Sequence, residues 1–138
     1  MSNVNLKLKT GLMTFNFRDE NEEVFISFKI NPSDVNLAKR CEEIEAFFEK
    51  ELKDFKEPET FEEVSKINAL YEEKINYLLG TQDNPVFKKP YTATTFLGDG
   101  TLLAEVVLNT VLDAVKPEIE KRMKNHKKRL DKYTSKYN

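Results

Sequence analysis

Hydrophobic residues near the start of the chain occupy every second position, which is the period of a β-strand. The first set of alternating residues is Met13, Phe15 and Phe17. The second set is Val24, Ile26, Phe28 and Ile30. The polar segment 18–23 between them is typical of a turn. Residues 12–30 are therefore predicted to form a β-hairpin.

A shorter alternation precedes the hairpin. Val4, Leu6 and Leu8 are apolar at every second position, which predicts a third strand, separated from the hairpin near Gly11. An isolated hairpin is only marginally stable in water. We therefore expect its apolar face to pack against helices or against another subunit.

The hydrophobic period changes after Ile30 to that of a helix. Asn31 is a suitable N-cap, Pro32 suits the first helical position, and the Asp34 carboxylate can meet exposed amides. Apolar residues then recur every three or four positions: Leu37, Cys41, Ile44, Phe48, Leu52 and Phe55. This stripe predicts a first helix that ends near Lys56, before Pro58.

A second helix is predicted from Thr60 to Gly80. Thr60 and Glu63 have the spacing of a capping box, and Gly80 is a suitable left-handed terminator. The apolar stripe consists of Val64, Ile67, Tyr71, Ile75 and Leu78. Because the connection to the first helix is short, the two helices are expected to lie antiparallel.

Residues 80–100 follow neither period and contain two prolines and three glycines. About twenty residues without regular structure is long for a compact domain. Such a loop is functional, is ordered by a partner, or contains a short element that the pattern does not reveal. The residues expected to hold it against the core are Phe87, Tyr91, Phe96 and Leu97.

A third helix is predicted from about Thr101. Its first half is apolar over a broad face and should be buried: Leu102, Leu103, Val106, Val107, Val111, Leu112 and Val115. Pro117 removes one backbone hydrogen bond and is expected to kink or restart the helix. A sparse stripe continues beyond it: Ile119, Met123, Leu130, Tyr133 and Tyr137.

These elements predict an α+β fold that is mainly α: an N-terminal β-hairpin, an antiparallel helix pair and a long, Pro-kinked C-terminal helix. We expect one domain over residues 1–138. Its parts are the hairpin region 1–30, the helical hairpin 31–80, the long loop 81–100, and the C-terminal helix 101–138 with its basic end.

Charge is distributed unevenly along the chain. The net charge is −2 in total, yet residues 116–138 contain nine Lys and Arg against three acids. Residues 42–63 contain ten acids against three lysines. Such polarity favours association of opposite ends, within one molecule or between molecules.

The residues that catalysis and metal binding require are scarce. His126 is the only histidine and Cys41 the only cysteine, so neither a Ser–His–acid site nor a structural zinc site is indicated. Cys41 falls on the apolar stripe of the first helix and is interpreted as a core residue. Glu42, Glu45 and Glu49 share a helix face opposite this stripe, which is interpreted as the solvated side. We predict no catalytic residue, cofactor or metal ligand; an enzyme using these carboxylates remains a third hypothesis.

The order of parts resembles the small tail assembly chaperones, and related small tail proteins, of long-tailed phages and prophages of Gram-positive bacteria. The resemblance spans nearly the whole chain and is carried by five segments. They are "MTFNFRDENEEVFISFKI", "INPSDVNLAKR", "INYLLGTQDNPVF", "LLAEVVLNTVLDAVKPEIEKR" and "KYTSKY". It implies a protein that is not an enzyme and that coats the tape-measure protein while the tail tube polymerises around it.

The resemblance implies a homo-oligomer that binds the tape-measure protein or another tail protein, without a membrane, in the cytoplasm of the host cell. The tape measure is a helical chain with exposed apolar stripes, so its binder needs an apolar surface or groove, for which residues 102–115 or the segment after Pro117 are candidates. The predicted partner surface is Ile119, Met123, Leu130, Tyr133 and Tyr137. The cations expected to add salt-dependent contacts are Lys127, Lys128, Arg129, Lys132 and Lys136.

Two alternatives remain open for this basic end. It is merely a solvated helix end, or it binds nucleic acid through clustered cations and two tyrosines that can stack on bases. The acidic first part of the chain argues against nucleic-acid binding, because it repels phosphate. For the protein as a whole, a structural role in the tail is the alternative to a chaperone role.

Overall fold

The computed structural model describes residues 2–54 and 56–137, without the side chains of Leu52, Lys136 and Tyr137. The elements follow the order β1 (Met13–Arg18), β2 (Val24–Ile30), α1 (Val35–Lys53), α2 (Phe61–Leu79) and α3 (Leu103–Tyr137). The fold is α+β and mainly α, with a hairpin followed by three helices, which confirms the predicted fold class.

The strands β1 and β2 form the predicted antiparallel hairpin, with Phe15 paired to Phe28 and Met13 to Ile30. The rings of Phe15 and Phe28 stack with centroids 5.3 Å apart. Ile26, Phe28 and Ile30 are buried, as the alternation requires. Val24 is 44% exposed, because the register shifts between Phe17 and Arg18 and takes the start of β2 out of the alternation.

The predicted third strand is wrong for the part of the chain that is described. Residues 2–12 have no strand assignment, and Val4, Leu6 and Leu8 are about four-fifths exposed. Gly11 ends this segment with a φ of 70°, a conformation that turns the chain away from the line of β1. Alternating apolar residues alone were therefore not enough to predict a strand, because a strand also needs a neighbouring strand to pair with.

The first helix begins later and ends earlier than predicted. Asp34, not Asn31, is the N-cap: its carboxylate accepts a hydrogen bond from the backbone N–H of Asn36. Asn31 instead accepts from the N–H of Ser33 and caps the turn before the helix. The helix ends at Lys53. Phe55 lies outside the described residues.

The helices α1 and α2 are antiparallel, as predicted. Arg40 and Glu43, early in α1, bond to Leu78 and Tyr77, late in α2, whereas Phe48, later in α1, contacts Tyr71. The Thr60 hydroxyl accepts from the N–H of Glu63, and the Glu63 carboxylate accepts from the N–H of Glu59. Gly80 terminates α2 in the left-handed conformation. Both capping predictions are thus confirmed.

The helix α3 is continuous through Pro117 and does not restart there. Pro117 and Asp113 are both exposed, so the missing backbone hydrogen bond falls on the outer side of the helix, where water can replace it. The predicted broad face of its first half packs against α1 and α2, although two of its seven predicted residues, Leu102 and Val106, are only half-buried. The other five predicted residues are buried: Leu103, Val107, Val111, Leu112 and Val115. Leu108, which was not predicted, is buried as well.

A polar face of α2 holds the long loop through hydrogen bonds. Asn68, Glu72 and Asn76 follow one another at steps of four and accept hydrogen bonds from loop N–H groups. The bonds run from Thr94, Ala93 and Val86, with lengths of 3.0, 3.2 and 3.0 Å. Val86, Phe87 and Ala93 are buried beneath them. A backbone bridge between Phe96 and Leu102 leads into α3.

Among the described residues, the model contains no helix with the length and apolar character needed to cross a membrane.

Candidate protein-binding site

The last part of α3 projects from the rest of the molecule. We call residues 123–137 the arm. Every arm side chain that is described, from residue 123 to 135, is exposed, whereas Val115 and Ile119 just before it are buried. The arm contains six Lys and Arg against one acid.

Three large hydrophobic side chains on the arm point into solvent. Met123 is 63% exposed, Leu130 51% and Tyr133 65%. At about 100° per residue they fall within an arc of about 80° on the helix, and we call them the arm stripe. Lys127 and Arg129 lie on either side of this stripe. The other exposed cations of the arm face away from it: Lys124, Lys128 and Lys132.

The structure corrects one member of the predicted partner surface. Ile119 is only 8% exposed and belongs to the molecule's own core, so it cannot contact a partner. The sequence stripe continues through Ile119 without a break, but burial along it ends at this residue, and Met123 is the first exposed member. The side chains of Lys136 and Tyr137 lie outside the described part of the chain. The other predicted residues are exposed.

Arg122 marks the boundary between core and arm. Its guanidinium donates to Gly11 O at 2.8 Å, to Ser33 Oγ at 2.9 Å and to Glu118 Oε1 at 2.9 Å. One side chain thus ties α3 to the N-terminal segment and to the turn before α1. A Cβ on Gly11 would lie 2.9 Å from this guanidinium. Arg122 is therefore an anchor, not one of the free cations of the basic end.

An apolar groove of about 600 Å³ lies at the opposite end of α3. It is bounded by the start of α2, the loop that precedes α3, and the first turn of α3. The side chains that line it are mainly apolar: Pro58, Val64, Ile67, Tyr71, Phe96 and Leu102. Val64 is 40% exposed and Phe96 73% exposed. The groove continues the α2 stripe beyond the point where α1 and α3 cover it.

The electrostatic character of the groove is negative. Glu57 and Glu105 line it, and no Lys or Arg does among the residues described. Glu62 and Glu63 occupy the adjacent first turn of α2. Burial raises the pKa of the Tyr71 hydroxyl, and the carboxylates of Glu51 and Glu105 raise it further. A basic apolar ligand fits these surroundings better than an acidic one.

The reactive side chains considered from the sequence are not gathered into one place. Cys41 is buried in the core, as predicted, and burial raises the pKa of its thiol. His126 is exposed on the arm. Glu45 accepts a hydrogen bond at 2.8 Å from Lys116 Nζ, which raises the pKa of that lysine. Within the described ranges, no group of three His, Cys, Asp or Glu side chains is placed to hold a metal ion.

Sequence reasoning missed the groove. It offered residues 102–115 or the segment after Pro117 as the binding face of α3. Half of residues 102–115 are buried, and only Leu102 and Glu105 among them line the groove. One signal was present in the sequence. Val64 and Ile67 are apolar residues at the start of the α2 stripe, and no apolar residue of α1 was predicted to pack against them. Which part of a stripe stays uncovered depends on the offset between packed helices, and periodicity does not contain that offset.

Comparison of the chain with protein-family models, with curated proteins and with solved structures finds no match.

Proposed function

We propose that the protein is a non-enzymatic phage-tail assembly factor that self-associates and binds a helical partner, such as the tape-measure protein, through its arm. The observation that carries this proposal is the arm itself. Its helix projects beyond the hydrophobic core and carries an exposed apolar stripe formed by Met123, Leu130 and Tyr133. Leaving such residues exposed costs solubility, and a polypeptide partner gives them a use.

The chemistry of the arm suits a helical partner with apolar stripes of its own. Two amphipathic helices can bury their stripes side by side, as in other helix-based recognition. The cations around the arm stripe add attraction to acidic positions on the partner and increase the rate of encounter. A narrow stripe is selective for the spacing of apolar residues on the partner helix more than for which residues they are. Such selectivity suits binding at repeated sites along a long helical protein.

Co-expression with the tape-measure protein of the same phage tests this proposal. We expect the full chain to co-purify with it and a chain ending at Asn125 to lose the complex. This end point keeps Ile119 and Arg122, so the core and its anchor are retained. A second variant, Met123→Glu with Leu130→Glu, removes the stripe and leaves the helix length unchanged.

The matched control is Val35→Glu, because Val35 is 80% exposed but lies at the start of α1. It changes an exposed hydrophobic residue to the same acid outside the arm, and an acid is tolerated at a helix N-terminus. A complex that survives both arm variants would reject the arm as the binding surface. A full chain that never co-purifies with the tape-measure protein would reject the proposed partner.

Nucleic acid is a second candidate ligand, favoured by one observation. Lys124, Lys128 and Lys132 face away from the arm stripe and are exposed together. Such a basic face can contact phosphates while the stripe is occupied elsewhere. Binding of this kind weakens steeply as salt rises, so the absence of a gel shift at low salt would reject it.

A further inference from the structure

We infer that the groove binds the arm of a second copy of this chain, so that the protein associates head to tail. This inference rests on the proposed self-association and names the surfaces that carry it. It is independent of whether the outside partner is a tape-measure protein. Three features of the structure support it: distance, shape and charge.

The arm cannot enter the groove of its own molecule. Leu102 and Glu105 line the groove, and α3 runs from there to Tyr137 as one helix. At 1.5 Å per residue, Met123 and Leu130 lie about 27 Å and about 37 Å beyond Glu105 along the same axis. An arm that reaches a groove of this kind must therefore come from another molecule.

The shapes of the two surfaces are complementary. The groove is an uncovered continuation of the hydrophobic stripe of α2, with Val64 and Phe96 exposed at its sides. Met123 and Leu130 on the arm are an exposed continuation of the hydrophobic stripe of α3. Placing Met123 and Leu130 in the groove would remove both sets of apolar atoms from water together, which is the usual driving force for helix-in-groove binding.

The charges are complementary as well. Glu57 and Glu105 line the groove, and the first turn of α2 adds two more acids. On the arm, Lys127 and Arg129 flank the stripe on both sides, about 80° from its centre. When the stripe faces the groove, these two cations are directed toward its edges. Opposite charges at the rim of an apolar contact fix its orientation and partner choice.

The N-terminal segment is the rival occupant. Val4, Leu6 and Leu8 are exposed, and the segment carries Lys7 and Lys9. The arm is favoured because it contains six cations and presents its apolar residues on a preformed helix, which has less conformational entropy to lose on binding. Deletion of the N-terminal segment separates the two possibilities.

The contact joins two different surfaces, so it is heterologous: each molecule still has one arm and one groove to offer. Repetition of such a contact gives a closed ring or an open chain, depending on the rotation between subunits. A helical partner and a neighbouring groove would compete for the same arm stripe. Self-association would then hold subunits together until the partner releases them.

Complementation between two variants tests this inference. The arm variant is Met123→Glu with Leu130→Glu, and the groove variant is Val64→Asn with Phe96→Asn, which introduces no charge that could attract the altered arm. All four positions are at least partly exposed, and circular dichroism of each variant checks that the fold is retained. Each change should weaken association by roughly a hundredfold or more. The arm variant places acids against the acidic groove, and the groove variant removes the apolar contact surface. Sedimentation velocity at low salt, over a range of concentrations, measures the species.

We expect the wild-type chain to form species beyond a dimer and each variant alone to be monomeric. An equimolar mixture of the two variants should form a heterodimer and stop there, since it contains one intact groove and one intact arm. Removal of residues 2–9 should leave wild-type association unchanged.

A mixture that stays monomeric while the wild type associates would overturn the arm-in-groove contact and leave self-association standing. Loss of association on removing residues 2–9 would assign the contact to the N-terminal segment instead. A wild-type chain that is monomeric at every concentration would overturn this inference together with the proposed self-association, but not the binding of an outside partner.

Discussion

The two halves of α3 are one continuous helix with opposite surroundings. Residues 103–119 have a broad apolar face that packs against α1 and α2. Residues 123–137 have a narrow apolar stripe, of which Met123 and Leu130 are more than half exposed. The difference shows that helical periodicity alone does not decide whether a stripe belongs to a core or to an interface. The width of the stripe and the charge around it are better guides.

The first half also explains how the second can remain helical. Nucleation of a helix is unfavourable, and isolated helices of fewer than about 12–15 residues are marginal in water. The arm needs no nucleation, because it extends a helix that packing already fixes. Lys and Arg near its end interact favourably with the helix dipole. The core half therefore supports the arm structurally, while the arm adds little to the stability of the core.

The largest expected change in stability comes from a leucine-to-alanine substitution in the buried half of α3. The same substitution in the arm tests whether the two halves differ as described. Leu103→Ala removes a fully buried side chain and should lower the free energy of unfolding by about 2–5 kcal/mol. Leu130→Ala, in the same helix, removes a side chain that is 51% exposed and should change it by less than about 0.5 kcal/mol. Urea unfolding followed by circular dichroism measures both.

The measurement should be made at low protein concentration, where self-association does not add to stability. Equal losses at the two positions would mean that the arm folds back on the core in solution. The comparison between the halves of α3 would then no longer hold.

A smaller effect is expected from the polar face of α2. The buried side-chain oxygen of Asn76 accepts hydrogen bonds from Val86 N at 3.0 Å and from Thr81 Oγ1 at 2.7 Å. Asn76→Ala leaves the Val86 amide without this partner and should lower the free energy of unfolding by about 1–3 kcal/mol. The matched control is Asn125→Ala on the arm, which isolates the helix-propensity gain of alanine.

Hydrogen exchange tests whether the lower stability of the Asn76→Ala variant comes from the lost hydrogen bond to the loop. The Val86 amide should exchange faster in the Asn76→Ala variant, while amides in the hairpin keep their protection relative to global stability. Unchanged exchange at Val86 would mean that Asn76 does not order the loop.

Much of the fold followed from the sequence because local chemistry decided it. The hairpin, the antiparallel helix pair, the Thr60 capping box and the Gly80 terminator each depend on residues within a few positions of one another. The N-cap of α1 was misplaced because Asn31 and Asp34 are both good caps, and each caps a different element. Asn31 caps a turn and Asp34 caps the helix that follows.

The features that the sequence did not reveal depend on distant contacts. The long loop is ordered by α2, although the four-residue spacing of Asn68, Glu72 and Asn76 was visible in the chain. The groove exists because α1 and α3 leave the first turns of α2 uncovered, and no local pattern specifies that offset. Ile119 and Met123 are consecutive members of the same α3 stripe, and only the first is buried. The stripe alone therefore could not show where the core ends.

The smallest expected effect lies at the junction between the halves of α3. Arg122→Lys keeps the charge, but an ammonium cannot reproduce the planar set of contacts to Gly11, Ser33 and Glu118. Since Arg122 is partly exposed, we expect the free energy of unfolding to fall by only about 1 kcal/mol. Arg129→Lys, within the arm, is the matched control and should have no measurable effect on unfolding. Equal effects at both positions would mean that the core ends before Arg122, and hydrogen exchange near Gly11 would then be the same in both variants.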